Sequence, residues 1–195
     1  MKTRKNKSRS TKFKKTIKCN RLNGSSRKQH CKRRSRRVHT RRKKGNAIAN
    51  FKLKNNVSGF VKFFKYKKYV KVIYKITGLS DGLHGFHIHQ KKVKNNDCST
   101  AAGHFNPDNI NHSGRHSHKR HAGDFGNIRS KNNKSAGSFI DSKISLDKNS
   151  KYYIVGRSIV VHEKMDDLGK GGNIESKITG NAGKRLNCAS IKIIG

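Results

Sequence analysis

Nine of the eleven histidines lie between residues 84 and 162. His87-Ile88-His89 places two imidazoles at i and i+2. On a strand those side chains share a face, so both can reach one ion. His104, His112 and His121 follow, with Asp124 close behind, and His162 ends a strongly β-prone run. Three imidazoles and a carboxylate suit a closed tetrahedral zinc site, and a flattened all-imidazole set suits Cu(II). A single histidine is more often a core or surface side chain. This density of them points to metal binding or pH sensing. Cys19 and Cys31 have no His or Cys at zinc-finger spacing and read as free thiols.

The segments that must position these ligands read as strands. In Val70-Lys71-Val72-Ile73-Tyr74-Lys75-Ile76, apolar residues fall at alternate positions and Lys71 and Lys75 lie between them, the pattern of a half-buried strand. Residues 47–53, 60–64, 138–146, 154–161 and 190–194 are further strand candidates, separated by Gly, Asn and Asp clusters. No stretch of helical length keeps a 3.6-residue period. The expected fold is all-β, a Greek-key β-barrel or sandwich of about eight antiparallel strands. Two loops, residues 89–128 and 162–189, are long for such a fold and hold most of the His and acidic residues. Loops beyond about 12–15 residues are usually functional or disordered, and this content favours function.

The charge divides the chain. Of its 195 residues, 48 are Lys or Arg and 10 are Asp or Glu, a formal net charge of +38. Residues 1–44 hold 21 of the basic residues and no acid, and the first acid is Asp81. Residues 1–46 are therefore expected to form a disordered polybasic arm, since they cannot bury enough apolar surface to offset ordering. Runs such as 32–37 and 41–44 fit contact with nucleic acid or another polyanion, a nuclear-import address, or a plain solvated tail. Residues 47–195 form the expected barrel domain. No apolar run approaches a membrane span, and the N-terminus has no apolar core of a secretory signal. The expected location is the cytoplasm, with the nucleus or a virus particle as other destinations for a basic arm.

Several blocks together resemble the copper/zinc superoxide dismutase family over about residues 46–195. They are Gly82-Leu83-His84-Gly85-Phe86-His87-Ile88-His89, Gly103-His104-Phe105-Asn106-Pro107, Arg120-His121-Ala122-Gly123-Asp124, the run from Val160 to Asn173, and Thr179 to Cys188. The resemblance implies copper held by His87, His89, His104 and His162. It implies zinc held by His104, His112, His121 and Asp124, with His104 shared between the ions. Asp166 would link His87 to His112 from behind, and His84 would be a buried structural histidine. Arg185 would anchor superoxide, and His104 would accept the first proton. Cys98 and Cys188 would form a disulfide. The implied activity is conversion of superoxide to O2 and hydrogen peroxide. Ile outnumbers Leu 16 to 7 and Lys and Asn are abundant, a composition that fits the relatives encoded by AT-rich large DNA viruses.

Three departures accompany the resemblance. The loop that usually carries two acids and a Lys reads Asn173-Ile174-Glu175-Ser176-Lys177-Ile178. Lys91 and Lys92 stand at the segment of the usual homodimer contact, where paired cations would oppose association. The basic arm has no counterpart in the ordinary enzyme. The alternative to an enzyme is a copper/zinc-binding module or copper-delivery domain without catalysis.

Overall fold

The computed structural model describes residues 46–194, and the expectations for residues 1–45, Cys19 and Cys31 included, lie outside it. Nine strands occur among the described residues: β1 Asn46–Lys54, β2 Val57–Tyr66, β3 Tyr69–Thr77, β4 Gly82–His89, β5 Asp124–Ser130, β6 Lys134–Asp141, β7 Ser158–His162, β8 Arg185–Ser190 and β9 Lys192–Ile193. Two antiparallel sheets pack face to face, one in the order β6-β3-β2-β1-β9 and one in the order β5-β4-β7-β8. The expected all-β sandwich is present.

The first three strands form a meander because their sequence alternates and their turns are correctly chosen. Asn55 and Asn56 both take positive φ, 49° and 62°, between β1 and β2. Asn tolerates that region, which a two-residue hairpin turn requires for strand twist. Asn132 and Asn133 repeat the device between β5 and β6, at 51° and 57°. On β3, Val70, Val72 and Ile76 are buried while Lys71 and Lys75 are exposed. The core between the sheets is filled by Phe63, Phe86, Phe105, Ile76, Ile88 and Ile159. Phe86 carries the aromatic packing onward, with its ring 5.6 Å from Tyr74 and 6.0 Å from Phe125.

Strand β4 is buried on both sides from His84 to His89. Phe86 and Ile88 belong to the core. The opposite side is covered by the two long connections, residues 90–123 and 163–184. This covering places polar His87 and His89 in a water-poor layer between sheet and loops, at 0% and 1% exposure. A buried ion pair ties the first connection to the other sheet: Arg120 Nη2 lies 2.6 Å from Asp141 Oδ2. Arg120 Nη1 also donates to the carbonyls of His121, Ala122 and Asp124. A buried charge needs such partners to be tolerated.

Several sequence boundaries shift. The expected loop 89–128 ends early, because Asp124–Ser130 is strand β5. The expected strand 138–146 starts at Lys134 and stops at Asp141, and 154–161 is a strand only from Ser158. The terminal strand 190–194 is split, with β8 beginning at Arg185. A helix, α1 Ile174–Thr179, lies in the second connection and is too short to show a period.

A disulfide joins Cys98, in the 3-10 helix Cys98–Ala101, to Cys188 on β8. It closes a separation of 90 residues. The chain-entropy account assigns such a closure about 4–5 kcal/mol. Replacing both with serine should lower unfolding stability in urea by roughly that amount. An unchanged urea midpoint would show that the loop is held by other contacts.

Candidate metal centre

Seven buried ligand-type side chains converge in two groups that share His104. One is His87, His89, His104 and His162, and the other is His104, His112, His121 and Asp124, with potential ligand atoms in each group within 4.8 Å of one another. The sheet supplies His87 and His89 from β4, Asp124 from the start of β5 and His162 from the end of β7. The first connection supplies His104, His112 and His121.

The hydrogen bonds decide which ring nitrogens are free. His89 Nδ1 lies 2.7 Å from the carbonyl of Ala102, and His162 Nδ1 lies 3.1 Å from that of Gly183. A carbonyl accepts only, so each Nδ1 carries the hydrogen and each Nε2 presents a lone pair. Those two Nε2 atoms face each other at 3.3 Å. Two lone pairs so placed need a cation between or beside them. His87 Nε2 donates to Asp166 Oδ2 at 2.9 Å, which leaves His87 Nδ1 bare. His104 Nε2 has no hydrogen-bond partner either. The first group therefore offers four inward lone pairs.

The second group is arranged by two carboxylates. Asp166 Oδ1 accepts from His112 Nε2 at 2.8 Å, so Asp166 ties His112 to His87. Its own position is set by Asn127, whose amide exchanges two hydrogen bonds with the Asp166 backbone at 2.7 and 2.8 Å. Asp124 Oδ2 accepts from the backbone N–H groups of His121 and Ser113. That leaves Oδ1 to face His104 Nδ1, His112 Nδ1 and His121 Nδ1 at 3.0, 2.9 and 3.2 Å. For His112 and His121 these approaches lack hydrogen-bond alignment, and both nitrogens stay unsatisfied. Atoms that crowd together without pointing at one another point at a common centre. The third close group, His87, His112 and Asp166, is different, because its bonds are already satisfied.

Orphaned buried nitrogens are rare and call for a ligand. Three imidazoles with one carboxylate, and four imidazoles, fit zinc and copper. The electrostatics agree for the first group. Burial pushes His87 down to about 4, His104 to about 3 and His162 to about 4, and holds His89 well below its usual value. Neutral rings keep their lone pairs for a metal. Burial also disfavours a charged His112, but its hydrogen bond to Asp166 and the nearby negative charges of Asp124 and Asp166 outweigh it and raise it to about 9. Burial works against the Asp124 and Asp166 carboxylates as well, yet the bonds from their histidines hold both below the usual range.

A cleft of about 330 Å³ opens onto the first group, lined by His89, His104, His162, Thr179, Glu175 and Arg185 among others. Arg185 is held by backbone carbonyls: Nη1 donates to Cys98 at 2.6 Å and Nη2 to Ala102 at 2.7 Å. The disulfide thus fixes the segment that orients this guanidinium. Ala102 also binds His89, so one carbonyl positions both a cation and a ring.

His84 is buried at 1% exposure, with ring nitrogens at 2.9 Å from the carbonyls of Ser80 and His162. It turns no nitrogen toward either group. His116 and His118 are exposed. Asn127, the Arg120–Asp141 pair, Gly180 and the carbonyls of Ala102 and Gly183 escape sequence reasoning. Asn127 and Arg120 stand inside or beside a recognisable block, but their residue types alone name no partner.

Gly180 ends α1 at φ 70°, where a side chain is strained. A Cβ there would strike Asp166 Oδ1 and come 2.6 Å from His112 Nε2. Gly180→Ala should therefore push the Asp166 bridge aside and weaken zinc binding by about 10–100-fold, read by competition with a chelator. Unchanged zinc affinity would contradict the bridging role. The metal-free chain should also lose stability in acid. The folded values for His87, His104 and His162 lie near 4, 3 and 4, against 6.5 unfolded. The unfolded chain therefore binds more protons below pH 6.5, and stability falls from about pH 6.5 toward pH 4. His112 contributes with the opposite sign, its support being lost as pH rises through about 9. A urea midpoint that stays flat from pH 7 to 4 would contradict this balance.

The comparisons with known proteins agree with this geometry. Residues 57–191 match the family model for copper/zinc superoxide dismutase (SODC). The chain is 48% identical over 141 residues to a superoxide dismutase [Cu-Zn] of Paramecium bursaria Chlorella virus 1, covering 71% of this chain and 74% of that one. It is 43% identical over 141 residues to an extracellular superoxide dismutase [Cu-Zn] of Caenorhabditis elegans, covering 72% of this chain and 63% of that one. It is 42% identical over 149 residues to a copper chaperone for superoxide dismutase of Mus musculus, covering 75% of this chain and 53% of that one. With more than half its length matched by the family model, and with both buried ligand groups in place, the chain belongs to the copper/zinc superoxide dismutase family.

Proposed function

We propose that this chain is a superoxide dismutase whose copper is held by His87, His89, His104 and His162 and whose zinc is held by His104, His112, His121 and Asp124. Two superoxide ions and two protons become O2 and hydrogen peroxide. The observation that carries the reading is His104, whose Nδ1 faces the Asp124 group while its unpartnered Nε2 faces the other. Copper supplies a one-electron couple and zinc a fixed positive charge beside the shared ring.

The chain's own residues perform the rest. Arg185 stays protonated and presents a guanidinium to a small anion entering the cleft. Its bonds to Cys98 and Ala102 stop it from swinging away. His104 accepts a proton at Nε2 when that nitrogen is free and passes it to the departing product. Asp124 keeps the ring in place from Nδ1, at 3.0 Å. Asp166 orients His87 and His112 and makes both better donors to metal. At the rim, Glu175 accepts a hydrogen bond from Thr179 and Lys177 is tied to the Gly169 carbonyl.

The domain division at residues 46 and 47 belongs to the same reading, as do contact of residues 1–46 with nucleic acid or another polyanion and a homodimer through the barrel despite Lys91 and Lys92. Cytoplasm, nucleus or a virus particle would then be the compartment. No helix among the described residues is long and apolar enough to cross a membrane. A copper-delivery role is the second reading, favoured by the mouse relative's printed name. A delivery domain gains nothing from an anchored guanidinium beside its copper ligands.

Metal analysis with a superoxide-decay assay separates them. The wild-type chain should hold about one copper and one zinc and accelerate decay. His162→Ala should lose copper and activity while keeping zinc. Arg185→Gln should keep both metals and lose about tenfold or more in rate at low salt. A fully loaded wild-type chain without activity would overturn the enzyme reading, and full activity in His162→Ala would overturn the copper assignment.

A further inference from the structure

The outer face of the five-stranded sheet is unlike the rest of the surface. From Asn46 to Ser80 the chain carries eight lysines and no acid. Outside the histidine groups, the ion pairs among the described residues are Arg120–Asp141, Lys143–Asp108 and Lys151–Asp108, none of which involves β1, β2 or β3. The neighbouring Asp141 of β6 is buried against Arg120 and cannot neutralise this face.

The register sorts these charges among aromatic rings. Phe60 lies opposite Lys75, Phe64 opposite Lys71, and Lys62 opposite Ile73. Lys71 and Lys75 are exposed, while Phe60, Lys62 and Phe64 are partly exposed. Lys62 Nζ sits over the Phe60 ring at 4.9 Å from its centroid. That ring therefore presents a face on the side where the lysines stand. Phe60 and Phe64 share one strand face about 14 Å apart, each beside a lysine from β3. None of these side chains takes part in the metal centre.

We propose that this face, centred on Phe60, Lys62, Phe64, Lys71 and Lys75, is a docking surface for single-stranded nucleic acid. Bases stack on the two rings, and the opposing lysines take the phosphates between them. Every base has a π-face, so such a platform binds with little sequence preference. A duplex keeps its bases stacked on each other and cannot use the rings, whereas exposed single strands can. An anionic membrane surface could also engage the lysines, but the alternation of ring and lysine across β2 and β3 matches the alternation of base and phosphate along one strand of nucleic acid. The proposal is independent of the dismutase reading and of residues 1–46.

The test uses the full chain and labelled oligo(dT), followed by fluorescence anisotropy across a salt series. Phe60→Leu/Phe64→Leu keeps apolar packing but removes both rings. It should weaken binding by about tenfold or more with the salt slope unchanged. Lys71→Gln/Lys75→Gln should lower the salt slope by about 1.4, at about 0.7 per phosphate contact. Superoxide decay should be unchanged in both variants. Ultraviolet cross-linking of the wild-type chain should map oligo(dT) to the peptide that contains Phe60 and Phe64. Cross-links confined to residues 1–46, or affinities within about twofold of wild type in both variants at low salt, would overturn the proposal. So would variants that lose binding to phosphatidylserine vesicles but keep oligo(dT), since the face would then belong to a membrane.

Discussion

One imidazole has to serve two buried sets of lone pairs. His104 stands between them with its Nδ1 toward Asp124 and its Nε2 unpartnered. Neutral donor atoms packed this closely repel one another and lack water, so the arrangement costs free energy until metal occupies it. The fold must hold that cost in place. It does so by burying β4 between the core and the long connections, and by fixing the outer ring nitrogens of His87, His89, His112 and His162 with acceptors. Asp166 holds His87 and His112, while carbonyls hold His89 and His162.

The supporting layer is continuous with the substrate cleft. The disulfide secures the Cys98–Ala101 segment, whose carbonyls grip Arg185, and Ala102 also grips His89. The positions of the Arg185 guanidinium and the His89 ring are thus mechanically joined through the Ala102 carbonyl. On the other side, Arg120 pins the zinc-side connection to Asp141. The four-stranded sheet supplies His87, His89, Asp124, His162 and Arg185, and the first connection, immobilised by these ties, brings His104, His112 and His121 to them.

The sequence makes legible what depends on side-chain type and short spacing. His87 and His89 are readable as a pair because a strand has a period of two, and the β3 pattern is readable because its apolar and lysine positions alternate. Strand β5 is hidden because it opens on Asp124-Phe125-Gly126-Asn127, a ligand and a glycine where alternation would be sought. Helix α1 is hidden by its six-residue length. The acceptors Ala102 and Gly183 act through backbone carbonyls, which every residue has, so nothing in their identity marks them. Asn127 with Asp166, and Arg120 with Asp141, are pairings across long separations that only the folded chain brings together.

The most direct measurement is anomalous scattering from crystals of the chain loaded with both metals, recorded at the copper and zinc absorption edges. The account predicts a copper peak among His87, His89, His104 and His162 and a zinc peak among His104, His112, His121 and Asp124. The two peaks should touch opposite nitrogens of the one ring at position 104. A single peak, or two peaks of which either leaves that ring untouched, would contradict it.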